Sequence, residues 1–462
     1  MNFPDYLKGT YCKWAWLGQR AHDGWGVNHV LGLDLIISCD EGLETKLFFD
    51  KTWFSLEAEK KKRLNWSNED LGSSLQTEYR DRFLEYLKRT PGSLNVLAYR
   101  SATSMEELSK QFPSKLRICS ATESLKSFLD NKVLFREKLK ELDLPFIPGK
   151  IINLGSYILK ERELPVVIQF PYGSSGSSTY MVKTERRFKE LTNLFRNHKV
   201  NMLEYLDGFS INVNGIVLSE TGIYCSYPSV QLVGLPECSN SATVFCGNDY
   251  SATERLTPHI IEKIRYTTER IGIWLAREGF RGVFGVDMLV KDGELFPVEV
   301  NPRFQNSTGL FTMLEIAQER KDLLIFLHIA EFLREDKNLQ EYTREFDKDL
   351  LMEPLFGSQV ILHNLYSKVK VSGQVMPGVY RFSHNKELEF VRSGVSLLDC
   401  KDSQDFLVTC GVPEKDKTIE EGAAICKIQT RKSLLGQDLK TLKSEISEFI
   451  TELYKAFSLE KI

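Results

Sequence analysis

The sequence predicts an α/β chain with α+β character: an N-terminal doubly wound unit, a mixed central unit and a β-rich C-terminal region. Three observations carry this reading. Over the first 125 residues short apolar runs alternate with helix-patterned segments, the order that a parallel sheet with crossover helices requires. Around 281–309 two apolar runs flank a short polar turn, the pattern of a β-hairpin. From 348 to 462 strand-like stretches dominate until a terminal amphipathic helix. A chain of 462 residues exceeds one ordinary hydrophobic core, so roughly two to four domains are expected.

In the N-terminal unit, 1–125, Val30–Ser38 fits a buried parallel strand and Lys46–Phe49 a second. Tyr79, Phe83, Tyr86 and Leu87 predict a helix over Glu78–Lys88, ended by Pro91–Gly92. Leu94–Tyr99 and Leu116–Cys119 read as strands around a short helix, Ser104–Gln111, capped by Ser104. The unit carries no G-x-G-x-x-G, so it is a poor candidate for NAD. The charged stretch Glu57–Asp70 reads as a solvated helix face or loop.

In the central unit, 126–335, Asp130 can cap a helix from Asn131 to Leu142, closed by Leu144–Pro145. Pro165–Gln169 and Tyr180–Val182 read as strands around a Gly173–Ser178 loop. Asn201–Leu206 and Ser210–Leu218 are strand-like and joined through Asp207–Gly208. Thr257–Pro258 opens a long helix with Ile260, Ile261, Ile264, Ile271 and Trp274 on one side and Gly279 as its stop. Tyr227–Tyr250, rich in Ser, Asn, Gly and Cys, reads as an irregular segment, either a loop over an acceptor site or only a connection. An apolar helix over Lys321–Leu333 and a polar link, Arg334–Lys348, lead to the C-terminal region, 348–462. Its last helix is marked by Leu439, Leu442, Ile446, Phe449, Ile450, Leu453 and Phe457. No internal repeat or low-complexity tract occurs.

Bulk properties exclude several classes. Hydrophobic residues at 42% and charged residues at 27% are ordinary for a globular chain and argue against wide disorder. Sixty Lys+Arg against 63 Asp+Glu give a formal charge of −3, so no electrostatic case for nucleic acid exists. The opening residues lack a basic then apolar leader and no run reaches membrane-spanning length, which predicts a cytoplasmic chain without a membrane partner. Nine scattered cysteines with no C-x-x-C suggest reduced thiols; Cys400, Cys410 and Cys426 read as small core residues.

The chemistry concentrates in RGVFGVDMLVKDGELFPVEVNPRFQNSTG, residues 281–309. Two apolar runs, Gly282–Val290 and Leu295–Val300, flank the turn Lys291–Asp292–Gly293–Glu294. Glu299 and Asn301 share a strand face, and the hairpin brings Asp287 near them, with Arg303 beside. Two carboxylates and an amide on one buried face are costly unless a charged ligand compensates, and oxygen ligation of this kind suits Mg²⁺ carrying phosphates. An exposed hairpin with merely solvated acids is the competing reading; it explains one carboxylate but not a third oxygen group two residues later. The second signal is the loop Gly173, Ser174, Ser175, Gly176, Ser177, Ser178, whose backbone N–H groups and hydroxyls could surround phosphate oxygens, where a plain hairpin turn needs fewer residues. It is not a P-loop, since G-x-x-x-x-G-K-[ST] is absent.

The pattern D-x₁₁-E-x-N-x-R, with PVEVNPRFQNSTG, resembles the metal-binding signature of the ATP-grasp superfamily, in the form of its carboxylate–amine ligases and biotin-carboxylase-like members. The resemblance implies an ATP-grasp core whose nucleotide-binding lid spans about 150–206 and whose metal-binding hairpin is 281–303. It implies ATP with Mg²⁺ (or Mn²⁺) as cofactors, the ion on Asp287, Glu299 and Asn301. Arg303 and Gln305 would face the reacting acyl phosphate. Lys132, in a context like the family's D-K helix start, would bind phosphate, unless it is a solvated helix residue. LEYLDG, Leu203–Gly208, resembles the adenine hinge, with Glu204, Tyr205 and Leu206 at the adenine edge, unless it is an ordinary turn. Two departures stand out: Gln169 occupies the place of a phosphate-binding lysine, and Ser210 that of a ribose-binding acid. Asn306, Ser307 and Thr308, with Gly309 opening a helix, could touch substrate or simply connect.

The implied reaction joins a small-molecule carboxylate and an amine, an amino acid or peptide among them, through an acyl phosphate, releasing ADP and phosphate. No nucleophilic side chain is needed, and no Ser–His or Cys–His motif is present. A biotin-carboxylase-like enzyme is the enzymatic rival, although no A-M-K-M carrier motif appears. A nucleotide-binding sensor or scaffold without turnover is the rival of another class, favoured by Gln169. The sequence leaves the oligomeric state open; ligases of this type often dimerise, so the resemblance allows a homodimer.

Overall fold

The computed structural model describes residues 2–11, 13–61, 67–173, 176, 178–219, 221–383 and 385–462. It is mixed α/β: a parallel N-terminal sheet is followed by antiparallel sheets. The N-terminal strands run in the order Thr52–Ser55, Leu35–Ser38, Lys13–Gly18, Leu94–Ala98, Leu116–Cys119, and every pairing is parallel. Both faces are buried, as parallel sheets require. Ala15, Leu17 and Val96 pack with Phe83, Leu87 and Met105 on one side. Trp14, Trp16 and Leu97 pack on the other against Phe311 and Phe326, which belong to helices of the central unit.

Several local expectations are corrected here. The apolar run Val30–Ser38 is split: a helix, Trp25–Leu31, ends at left-handed Gly32, and only Leu35–Ser38 is strand. Lys46–Phe49 lies not in a strand but at the end of a helix, Leu43–Phe48. A short apolar run cannot by itself distinguish the two, and here Glu44 draws the segment inward by accepting the N–H groups of Gly411 (2.6 Å) and Val412 (3.2 Å). The helix Thr103–Gln111 has Ala102, not Ser104, at its cap, because the Glu69 carboxylate accepts the N–H groups of Thr103 and Ser104. Asn131 rather than Asp130 caps the helix Lys132–Glu141; Asp130 instead pairs with Lys126 at 2.8 Å. Glu57, expected on a solvated face, is buried against Lys417 at 3.0 Å, while 62–66 of that stretch lie outside the described residues.

The central unit has two antiparallel sheets. The smaller orders Gly149–Asn153, Lys199–Glu204, Val166–Gln169 and Thr179–Val182, and packs on the helix Glu185–Leu194. The larger starts with Glu294–Asn301, Gly282–Lys291, Phe209–Leu218, Ser229–Val233 and Phe245–Asp249. It continues without a break through the C-terminal strands Ser358–His363, Ala424–Thr430, Phe406–Thr409, Gly378–Phe382 and Leu388–Ser393. Tyr227–Tyr250 is thus not irregular throughout, since it supplies two of these strands. The link Arg334–Lys348 contains a helix, Lys337–Glu345, that buries Leu339 and Tyr342. Leu439 and Leu442 precede the terminal helix, Ser444–Phe457, instead of belonging to it.

Buried amides bridge the large sheet. Asn248 donates to Ser229 Oγ at 3.0 Å, Gln359 to Asn248 Oδ1 at 3.3 Å, and Gln429 to Gln359 Oε1 at 3.4 Å. The N-terminal and C-terminal regions are joined by ion pairs, one buried, Lys427 with Asp23 at 2.6 Å, and one half-buried, Lys417 with Glu41 at 2.6 Å. The eight described cysteines are all buried. Among the described residues no helix is long and apolar enough to cross a membrane.

Candidate active site

The hairpin turn fixes the site. Asp292 (φ +50) and Gly293 (φ +78) both take the left-handed conformation that a tight two-residue turn between twisted strands demands. The register that follows sets Asp287 opposite Glu299 and Gly285 opposite Asn301, with an irregularity between Asp287 and Met288. On the other side of Asp287 the strand Phe209–Leu218 places Asn212 directly across. Asn212, Asp287 and Glu299 therefore form one rung over three strands.

Asp287 Oδ1 accepts from Asn212 Nδ2 at 2.5 Å and from Gln231 Nε2 at 3.2 Å. Its Oδ2 accepts from Asn301 Nδ2 at 3.2 Å, and the same amide nitrogen approaches Glu299 Oε1 at 3.4 Å. Burial, then the facing negative charge of Glu299, pushes the Asp287 carboxyl well above the usual carboxylate range. The Lys132 ammonium, buried, meets Glu299 Oε2 at 3.1 Å and donates to the Gly173 carbonyl at 2.8 Å. This one cation ties the start of the Gly/Ser loop to the hairpin. Lys132 is thus no solvated helix residue.

A cleft of about 490 Å³ opens over this rung, between the two sheets of the central unit, and reaches the N-terminal unit. Gln169, Gly176, Glu204, Tyr205, Leu206 and Ser210 line it, as do Asp287, Glu299, Asn301, Arg303 and Gln305. Gln169 is held by Asn201 Nδ2 at 3.1 Å. The hinge is covered from the C-terminal region, where Leu439 and Lys440 line the cleft and Lys440 pairs with Asp207 at 2.7 Å. Thr243 Oγ1 donates to Gly176 O (3.4 Å) and Thr179 O (3.2 Å), so the Tyr227–Tyr250 segment braces the loop. Ser174, Ser175 and Ser177 lie outside the described residues. Lys132 and Gly173 stand behind the cleft wall instead of lining it.

Arg303 donates to Asn301 Oδ1 at 2.7 Å, to the Phe304 carbonyl at 2.9 Å and to Tyr99 Oη at 3.4 Å. Gln305 faces the cleft with its amide already engaged, accepting from Asn212 at 2.7 Å and donating to Val213 O at 3.2 Å. It sits over Gly285, where a Cβ would overlap its amide, and its backbone opens the helix Asn306–Ala317. That helix begins at Asn306, before Gly309; Thr308 is spent accepting the Gln305 N–H, while Asn306 and Ser307 line the cleft. Sequence reasoning missed Asn212, Gln231, Tyr99 and Arg20. The signal for Asn212 was present: two asparagines, Asn212 and Asn214, interrupt one face of an apolar strand.

Whether these residues suit a divalent ion can be asked of their donors. Two facing half-buried carboxylates, one of them driven toward protonation, are the arrangement a cation would relieve. Asn301 currently turns its nitrogen toward them and its oxygen toward Arg303, so an ion there would require the amide to rotate by half a turn. Among the described residues no three His, Cys, Asp or Glu side chains gather, so an ion would rest on Asp287, Glu299 and Asn301 plus oxygens that a ligand brings.

Residues 129–307 match the family model described as an ATP-grasp domain. The chain is 27% identical over 188 residues, 39% of its length, to the [butirosin acyl-carrier protein]–L-glutamate ligase of Niallia circulans, and spans 44% of that relative. Its fold is that of the biotin carboxylase domain of Hydrogenobacter thermophilus 2-oxoglutarate carboxylase, determined with MgADP, ADP and bicarbonate (TM-score 0.56, 12% identity, 91% of this chain and 86% of that one). It is equally that of N5-carboxyaminoimidazole synthase from Aspergillus clavatus, with ADP and its aminoimidazole ribonucleotide (TM-score 0.52, 12% identity, 95% and 98%). The likeness to an ATP-grasp domain is thus carried by residues 129–307, the stretch that also holds the acidic rung.

Proposed function

We propose that the chain is an ATP-dependent carboxylate–amine ligase that works through an acyl phosphate. The observation that carries this reading is the rung Asn212–Asp287–Glu299, with Lys132 and Asn301 against it, on the floor of a cleft that begins at a hinge. ATP would lie along that cleft, its adenine at Glu204, Tyr205 and Leu206, its ribose near Ser210 and its phosphates under the Gly/Ser loop. Asp287, Glu299 and Asn301 would hold Mg²⁺, which supplies charge compensation for the phosphates when bound. Lys132, pinned between Glu299 and the Gly173 carbonyl, keeps the loop and the hairpin in register. A substrate carboxylate oxygen attacks the γ-phosphorus and ADP departs; an amine then attacks the acyl carbon, phosphate leaves, and the amine proton passes to water. Arg303, at the rim of the rung, stabilises the oxyanion of the second step. Gln305 holds Asn212 in place, and Gln169 donates to phosphate without adding charge. The loop braced by Thr243 shields the acyl phosphate from water.

The biotin-carboxylase-type fold favours one rival, phosphorylation of bicarbonate. ADP release measured across carboxylic acids paired with amines, and across bicarbonate with biotin, separates them. Amine-dependent ADP release that Asp287→Asn abolishes supports the ligase; release that needs bicarbonate and biotin gives the carboxylase; tight ATP binding with no release under any condition leaves a sensor.

A further inference from the structure

Two arginines, Arg303 and Arg20, line the cleft. Among the described residues Arg303 donates to a phenol, a carbonyl and an amide oxygen, and its buried Nε finds no partner there. Arg20, which precedes the turn Ala21–Gly24 in the N-terminal unit, meets the Cys410 thiol at 3.7 Å. Among the described residues neither forms an ion pair. The nearest acids are occupied elsewhere: Asp23 by Lys427 at 2.6 Å, and Asp40 Oδ1 by the Ala21 N–H at 2.9 Å. Tyr99 lies inside the fields of Arg303, Asp23, Lys427 and Arg20. Asn68, buried, also lines the cleft, and among the described residues its side-chain oxygen has no partner. A guanidinium in a partly desolvated cleft, held by the fields of acids with which it forms no direct pair, presents a planar fork that matches a carboxylate bidentately.

We propose that Arg20 anchors a substrate carboxylate that takes no part in the reaction, so that the enzyme selects a substrate with an anionic group at the end away from the bond being made. This rests on the ligase reading above. It places Arg303 at the reacting end and Arg20 at the recognition end of the same substrate channel. The carboxylate could come from a dicarboxylic acid or from an amino acid acting as the amine, and substrate pairs distinguish the two.

The test compares wild type with Arg20→Met and Arg20→Lys. ADP release is measured with dicarboxylic acids against their mono-amides, and with amino acids against their amides. Arg20→Met should raise the KM of the carboxylate-bearing member about 30-fold or more, as loss of a charge-assisted pair implies, with the KM for MgATP within twofold. Arg20→Lys should recover part of the loss, and the amide should be a poor substrate of wild type that the variant leaves unchanged. The pair in which the preference appears names the source. Equal kcat/KM for carboxylate and amide in wild type, or an unchanged KM in Arg20→Met, overturns the proposal. If no acid or amine releases ADP, the ligase reading fails by itself. Glutarate and L-glutamate binding to the ATP-loaded protein, read by thermal shift, then decides the anchor: a shift absent in Arg20→Met supports it, and an equal or absent shift in both proteins refutes it.

Discussion

Asn212 and Asp287 face each other across neighbouring strands, with 2.5 Å between Nδ2 and Oδ1, the shortest contact the acidic rung makes among the described residues. Asp287 therefore depends on a residue from a strand that carries no acid of its own. Replacing Asp287 by Asn removes the facing charges while keeping the shape. ADP release should fall by about 10³-fold, while Tm should hold or rise by a few degrees because the repulsion from Glu299 is gone. Asn212→Leu should instead destabilise by about 2 kcal/mol, since it strips a buried carboxylate of a donor. Steady-state ADP release and denaturant unfolding on both variants check the pair.

The Gly/Ser loop offers a backbone test. Gly176 has φ +81, and a Cβ there would lie 1.7 Å from the Thr243 carbonyl oxygen. Both strain and clash oppose a side chain. Gly176→Ala should lift the loop from Thr243, raising the KM for MgATP about tenfold and increasing ADP release uncoupled from product. Thr243→Ala, which removes only the hydroxyl contacts, should give a milder change in the same direction. Coupling ratios of ADP to amide product read the difference.

A pH test reports on the joint between the N-terminal and C-terminal regions. Glu44 is fully buried beneath Gly411 and Val412, and burial pushes its carboxyl up to about 7. A folded-state value above the unfolded one means that the folded chain binds the extra proton. Stability from this group is therefore full below about pH 4.5 and is lost as pH rises through 7. Glu44→Gln should flatten that part of the profile and make the chain more stable at pH 8, by about 3 kcal/mol at most. Urea midpoints from pH 5 to pH 8 measure it; a wild-type midpoint that climbs over this window contradicts the assignment.

Much of this molecule is legible in local sequence because its chemistry sits on a hairpin. Alternation on two runs and an Asp-Gly turn determine which residues oppose which, so Asp287, Glu299 and Asn301 can be placed together before any coordinate is known. The long helix Pro258–Arg277 is equally legible from its Thr257 cap and its apolar face. Asn212 and Gln231 were not, because the strand order that sets them beside Asp287 is a fact of the whole sheet. Arg20 was hidden for the same reason, its role arising only where the N-terminal unit meets the cleft. The misread strand at Lys46–Phe49 shows the converse. Four residues carry too little periodicity, and a buried Glu44 bonded to a partner 367 positions away decided the outcome.

The unbroken sheet has a mechanical meaning. Its strands run from the acidic hairpin under the cleft and on into the C-terminal region, stitched by Asn248, Gln359 and Gln429. The floor is thus one anvil, and the small sheet of Gly149–Glu204 is the hammer that meets it. A blow struck at Gln429, far from any phosphate, would ring through the same plate that Asp287 stands on.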